Sequence, residues 1–393
     1  MKFFKEIIDK SGTIAVDETI LIKDVKTAAG SKILDGFSSL FSAEVVERLE
    51  KSGEKIAATT HTGEFGLDLL GEFSHYAEKT DALSHAASEA VKEGSVKAAL
   101  CVDMNGTPRR GAHSSGVCFL KPTYGTVSRY GVISCAASGE QIGVSAKDSE
   151  TVADIMGKIA GHDEKDGTSL KDASYDYKVA DVSGKKVAVV RDLFDLADED
   201  VKAKINSAKA ALEKCGVVVD EIECDLFEIA NTAWQILMTA ETCNNVSRYD
   251  GVKFGHRAKE YKNIDELYVN SRTEGFNFLT KAVILYGSDA LSKNRYRDCY
   301  DKSLRVRRVV SDAMKEIFAQ YDAVLIPASK KSSYEAYDIA DAFGKVFEES
   351  IMTATANLCG FPAIVGCGVQ FMGDHFADSK LLSLVSAVER MGE

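Results

Sequence analysis

The stretch "DMNGTPRRGAHSSGV", residues 103 to 117, packs hydroxyls, a histidine and two arginines into a short span. A serine beside a histidine is the usual means of making a hydroxyl nucleophilic. His113, Ser114 and Ser115 are adjacent in sequence, however, and adjacent side chains rarely aim at each other. The "NGTPRRG" segment lacks the Gly-x4-Gly-Lys spacing of a phosphate loop. His61, His75 and His85 recur close together, but no cysteine or carboxylate pattern completes a metal-ligand set. The 9 cysteines are scattered, with no CxxC pair and no zinc spacing. Neither a metal nor a cofactor is expected.

Groups of this kind need elements to hold them, and strand and helix signals alternate along the chain. "SAEVVERLEKSG" opens on Ser42 as a helix cap, repeats Val45, Val46 and Leu49 at helical spacing, and stops at Gly53. "KIAATT" follows as a β-branched strand, and "KKVAVVRD" is a short apolar run of the buried-strand type. "DEDVKAKINSAKAALEKCG" sets Val201, Ile205, Ala208 and Leu212 on one helix face and ends at Gly216. "VVVDEIEC" then returns as a strand and completes a βαβ unit. "LRVRRVVSDAMKEIFAQYD" is a long amphipathic helix leading into the strand "AVLIP". The polar segment "GHDEKDGTSLKDASYDYK" reads as a long surface loop. The alternation predicts an α/β protein with a mixed or parallel sheet covered by helices.

Composition narrows the function classes. The 393 residues are 45% hydrophobic with a net charge of −12, an ordinary globular balance that repels phosphate backbones. Direct nucleic-acid binding is therefore not expected, and the basic "LSKNRYRDCYDKSLRVRR" reads as a solvated helix face. No apolar run of about 20 residues exists to span a membrane, and "MKFFKEIIDK" is too charged for a secretory signal. The scattered cysteines read as reduced thiols, which places the protein in the cytoplasm.

Longer motifs carry a resemblance. "LKPTYGTVSRYG" (Leu120 to Gly131), "EQIG" (Glu140 to Gly143), "IAGHDEKDGTS" (Ile159 to Ser169) and "RYDGVKFGHRA" (Arg248 to Ala258) are similar to blocks of the amidase signature family. So are "YDAVLIP" (Tyr321 to Pro327), "NLCGFPAI" (Asn357 to Ile364), "GVQFMG" (Gly368 to Gly373) and the early "ILIKDVKTAAGSKIL". The resemblance spans almost the whole chain. It implies one α/β domain over residues 1–393, with a central mixed β-sheet covered by helices on both faces and without the family's N-terminal helical region.

The resemblance also implies a Ser–Ser–Lys device for cleaving amide C–N bonds. A lysine after a strand, held neutral, is the ultimate base; a relay serine in a Gly-rich loop passes the proton; a nucleophilic serine attacks under backbone N–H groups. The family's "IKDN" lysine falls on Lys23 of "IKDV", which taken alone reads as an exposed lysine at a strand end. The nucleophile falls on Thr107, whose extra methyl crowds the attack path. The relay falls on Ala87, and the glycines before it become His85 and Ala86, so "SHAASEAVKEG" reads as helical. Met104, Asn105 and Gly106 take the oxyanion loop, Asp103 and Arg109 match its neighbours, and Pro108 departs from it. The arginine and aspartate that hold glutamine in the amidotransferase members fall on Val283 and Ser350, with Glu349 next to the latter.

Departures that fall on one site while core blocks persist favour reduced or absent catalysis and a binding or partner role. A homodimer or protein partner is expected to cover the side exposed by the missing helices. The alternatives are an amidohydrolase of altered specificity using Thr107 and Lys23 on a small amide, or a component of a glutamine-dependent tRNA amidotransferase.

Overall fold

Eleven strands form one mixed sheet in the computed structural model, which describes residues 2–171 and 175–392. They are β1 (Phe4–Ile7), β2 (Ile14–Asp17), β3 (Ile56–Thr60), β4 (Ala98–Asp103), β5 (Cys118–Lys121) and β6 (Gln141–Ala146), then β7 (Lys186–Val190), β8 (Val218–Ile222), β9 (Ala323–Ile326), β10 (Ala363–Gly366) and β11 (Val369–Met372). Across the sheet they run β1-β3-β2-β4-β6-β5-β10-β11-β9-β7-β8. β3, β2 and β4 are parallel, the centre from β4 to β9 is antiparallel, and β9, β7 and β8 are parallel again.

The expected βαβ unit is β7, the helix Glu199–Lys214 and β8, with Val201, Ile205, Ala208 and Leu212 buried as their spacing predicts. "KIAATT" forms β3, and "AVLIP" forms β9 after the helix Lys302–Phe318. On that helix and the turn before it, Arg305 pairs with Asp301 at 3.0 Å and Arg308 with Asp312 at 2.6 Å, as a solvated face requires. The described part of the Gly161–Lys178 segment carries neither helix nor strand; residues 172–174 lie outside the described residues.

One helix start differs from expectation. The helix Glu44–Lys51 is entered through Ala43, which makes no side-chain cap bond. Ser42 instead accepts the amide N–H of Lys23 on its Oγ at 3.1 Å, tying down the loop that follows β2.

Strands β2 and β3 are buried along their whole length, which is why they read as continuous apolar or β-branched runs. Their parallel arrangement with β4 brings three C-terminal strand ends to one edge. Val16 lies opposite Leu100, and Asp17 opposite Thr60. After three intervening residues β4 is followed by the helix Thr107–Ser115, entered through Gly106 in a left-handed conformation (φ 84°). The single tryptophan, Trp234, is fully buried in the helix Leu226–Val246, its ring edge against Gly139 where no Cβ would fit. Among the described residues all nine cysteines are free, and no helix is long and apolar enough to cross a membrane.

Candidate active site

The loop Met104–Gly106 and the first turn of the helix Thr107–Ser115 sit over the C-terminal ends of the parallel strands. In open α/β sheets this is where ligands bind. Gly106 donates its N–H to Asp103 Oδ1 at 3.1 Å. Its missing side chain leaves room for Thr353, which packs where a Cβ would project. Asn105 is fully buried; its carbonyl accepts from Arg110 Nη1 at 2.8 Å and from Thr353 Oγ1 at 3.2 Å, and its Oδ1 accepts from Gln235 Nε2 at 3.2 Å.

Thr107 is buried, and its hydroxyl has two partners. It donates to the backbone carbonyl of Asp68 at 2.8 Å and accepts from Arg110 Nη2 at 3.3 Å. Neither partner takes up a proton as a base would. The carbonyls of Asp68 and Leu69 belong to a loop folded on its own carboxylates. Asp68 accepts the N–H groups of Gly71 at 3.0 Å and Phe73 at 2.8 Å, while Glu72 accepts those of Leu69 at 3.1 Å and Leu70 at 2.7 Å. Burial and the neighbouring Glu72 charge push the Asp68 carboxyl well above its usual range. Arg110 donates Nε to the Leu69 carbonyl at 3.0 Å, which fastens this loop to the helix.

The structure corrects the place expected for Lys23. Its side chain is solvent-exposed, and its backbone forms an isolated bridge with Ser39 in the loop beyond β2. The residue that ends β2 is Asp17, buried and six positions earlier. Asp17 lines a small cavity of about 10 Å³ with Thr19, Phe65, Gly66, Val102, Met104, Ile133, Cys135 and Glu140. That is room for about one water molecule. Burial pushes the Asp17 carboxyl up to about 7, against the pull of its bonds from Thr19 N–H (2.8 Å) and Oγ1 (2.9 Å). Glu140 is already held by the N–H groups of Cys135 at 3.0 Å and Ala136 at 3.1 Å and by Ser134 Oγ.

Ala87 lies in the first turn of the helix Ala86–Lys92, in an apolar cluster with Ala15, Ala58, Ala99 and Cys101. The segment is helical, as its lack of glycine predicts, and His85 caps it, its Nδ1 accepting the Ser88 N–H at 3.4 Å and lying 2.9 Å from Ser88 Oγ. Burial, with the Arg110 charge, brings the His85 pKa down to about 4.

The four residues expected to bind substrate face the interior. Asp103 and Arg109 are fully buried and joined by two bonds of 2.8 and 3.1 Å. Burial raises the Asp103 pKa, but the Arg109 charge and bonds outweigh it and hold the carboxyl below its usual range. Arg109 also reaches Gln370 Oε1 at 2.9 Å and the Thr353 carbonyl at 3.1 Å, so the pair ties four segments together. Val283 is buried among apolar side chains of the helix Phe278–Leu291, and Ser350 Oγ donates to the Val346 carbonyl of its own helix at 2.6 Å. Glu349 accepts the Lys330 N–H at 2.9 Å.

Three site groups escaped the sequence reading. Asp17 was signalled by where the "IAV" run ends, but the triplet "IKD" matches the family spelling and hides it. Arg110 and Asp68 leave no signal, because the bonds that bring them to the site, Arg110 to Leu69 and Thr353 and Thr107 to the Asp68 carbonyl, close over 39 to 243 residues. Lys121 is a further buried cation at the end of β5; burial takes its pKa down to about 7, and its Nζ donates to the Pro122 carbonyl at 3.1 Å. Among the described residues, no three of His, Cys, Asp or Glu come together as a metal-holding group.

The family model described as Amidase matches residues 13–382. The chain belongs to the amidase signature family. Among curated relatives, the A subunit of glutamyl-tRNA(Gln) amidotransferase from Halothermothrix orenii is 32% identical, the match covering 96% of this chain and 84% of that one. Its counterpart from Lachnospira eligens is 34% identical over 96% of this chain and 83% of its own. The crystal structure of the Thermotoga maritima counterpart superposes with a TM-score of 0.82 at 27% identity, covering 99% of this chain and 87% of that one. A peptide amidase from Stenotrophomonas maltophilia shares the fold, with a TM-score of 0.77 at 20% identity over 96% of this chain and 82% of the other. This amidase-family member thus has the large mixed sheet flanked by helices, and over most of its length it resembles the amidotransferase polypeptides.

Proposed function

We propose that this chain is a non-catalytic amidase-family protein, a single domain over residues 1–393 that keeps the fold for a binding or partner role. The observation that supports this best is the state of Thr107: its proton is turned to a backbone carbonyl, and a guanidinium occupies its other side. Three further features point the same way. The strand end where the family's base lysine is implied carries an acid, Asp17. Ala87 offers a methyl group inside an apolar cluster where a relay hydroxyl is implied. The adjoining cavity of about 10 Å³ is too small for a substrate amide.

A partner role is favoured by the helix Phe278–Leu291, which exposes Phe278, Leu285 and Tyr286, with Leu285 71% exposed. Relatives named as one subunit of an amidotransferase fit that reading. The experiment is turnover of a panel of small amides, esters and glutamine by wild type and Thr107→Ala. Both proteins are expected to match background. Clear wild-type turnover that Thr107→Ala abolishes would replace this reading with a threonine-dependent amidase.

A further inference from the structure

Arg110 is a buried cation with no carboxylate in direct contact; Glu349 and Asp103 act on it only through space. Its side chain is fully buried, yet among the described residues none of its nitrogens has a carboxylate partner at ion-pair distance. A charge removed from water is tolerated only where oriented dipoles replace the solvent. Here four oxygens do so. The Leu69 carbonyl lies 3.0 Å from Nε, the Asn105 carbonyl 2.8 Å and Thr353 Oγ1 3.2 Å from Nη1, and Thr107 Oγ1 3.3 Å from Nη2. They come from three separate segments, and two of them, on the turn from Asn105 to Thr107, belong to positions where the resemblance implies donors and a nucleophile directed at a developing oxyanion. The polarity of the place is reversed. Carbonyl and hydroxyl lone pairs point inward, which suits a planar cation with several N–H groups and repels a carboxylate or oxyanion.

We propose that Leu69, Asn105, Thr107 and Thr353 form a guanidinium-accepting cage, filled from within by Arg110, and that Arg110→Ala leaves a site for a small free alkylguanidinium ion. The planar fork matters. An alkylammonium presents three donors in a cone and cannot meet acceptors spread around the guanidinium plane. The inference goes beyond the functional reading, because it concerns uptake of a cation and not turnover. Amide hydrolysis by the wild type would end that reading and leave this one standing.

The test follows thermal unfolding of the full chain, wild type and Arg110→Ala, with ethylguanidinium chloride, and with ethylammonium chloride and sodium chloride at equal ionic strength. The variant should gain about 2 °C or more in Tm at tenfold excess of ethylguanidinium over its Kd, saturably. The wild type, its cage already occupied, should gain nothing. A folded variant that responds as the wild type does, or equally to ethylammonium, overturns the proposal. Should Arg110→Ala fail to fold unaided, the reading becomes refolding yield from urea. Yield restored by ethylguanidinium alone supports the cage, and yield indifferent to it overturns it.

Discussion

Asp17 shows how burial acts on one residue. Its folded-state pKa of about 7 lies above the ordinary carboxyl value, so the folded protein holds the proton more tightly than the unfolded chain. Its contribution is complete at low pH, falls as pH rises from about 4 to 7, and stays lost above that. Asp17→Asn, which keeps an acceptor for Thr19, should be more stable than wild type at pH 8 by up to ~4 kcal/mol, the gap closing toward pH 4. Urea unfolding at pH 8 and pH 5 checks this; a gap that does not shrink on acidification sinks it. The same residue marks the limit of reading the sequence. Lys23 has the family's local spelling, but what qualifies a base is its position at a buried strand end, and that is settled by where β2 stops. Thr107, Asp103 and Arg109 were legible as a group because the resemblance runs back to them without a gap from "LKPTYG". Their partners Asp68, Thr353 and Gln370 were not, since a hydrogen bond across 39 to 261 residues leaves no trace in spacing.

Elements were more legible than their joints. The helix Glu199–Lys214 buries the four residues its periodicity selects, and the glycine-free segment after Leu83 is helical as its composition requires. Ser42 failed as a cap because its hydroxyl accepts a better-placed N–H from the loop beyond β2. The joint that matters most to the site is Gly106, which turns β4 into the helix Thr107–Ser115. It is left-handed at φ 84° and has Thr353 packed where a Cβ would stand. Gly106→Ala adds backbone strain and a collision together, and should destabilise the protein by ~2–4 kcal/mol. Thermal unfolding reads the loss, and combining it with Thr353→Gly should recover only the collision part. A cost below ~1 kcal/mol would mean that the loop is slack, and would weaken the picture of a tightly closed site.

At the scale of the whole molecule, the mixed sheet was legible as a class, whereas the order of its strands was not. Eleven strands pair across hundreds of residues, and apolar runs do not say which neighbour they meet. The surface is where the fold leaves something undone. Phe278, Leu285 and Tyr286 expose apolar area on one helix, with Tyr286 stacked on Phe343 at 4.3 Å. Exposed apolar area of this kind predicts an oligomer. Light scattering on the full chain should give at least twice the 42.6 kDa chain mass, and Leu285→Asp should shift it toward one. A wild type that scatters as a single chain at every concentration tested removes the self-association. Trp234 gives the molecule a property of another kind. It is the chain's sole indole, sealed against Gly139, the residue before the cavity's Glu140, on a helix whose Gln235 holds Asn105. The emission of this indole, excited beyond the absorption of the 14 tyrosines, is therefore a one-point optical gauge, short in wavelength while the wall behind the cage is dry and lengthening when water reaches it.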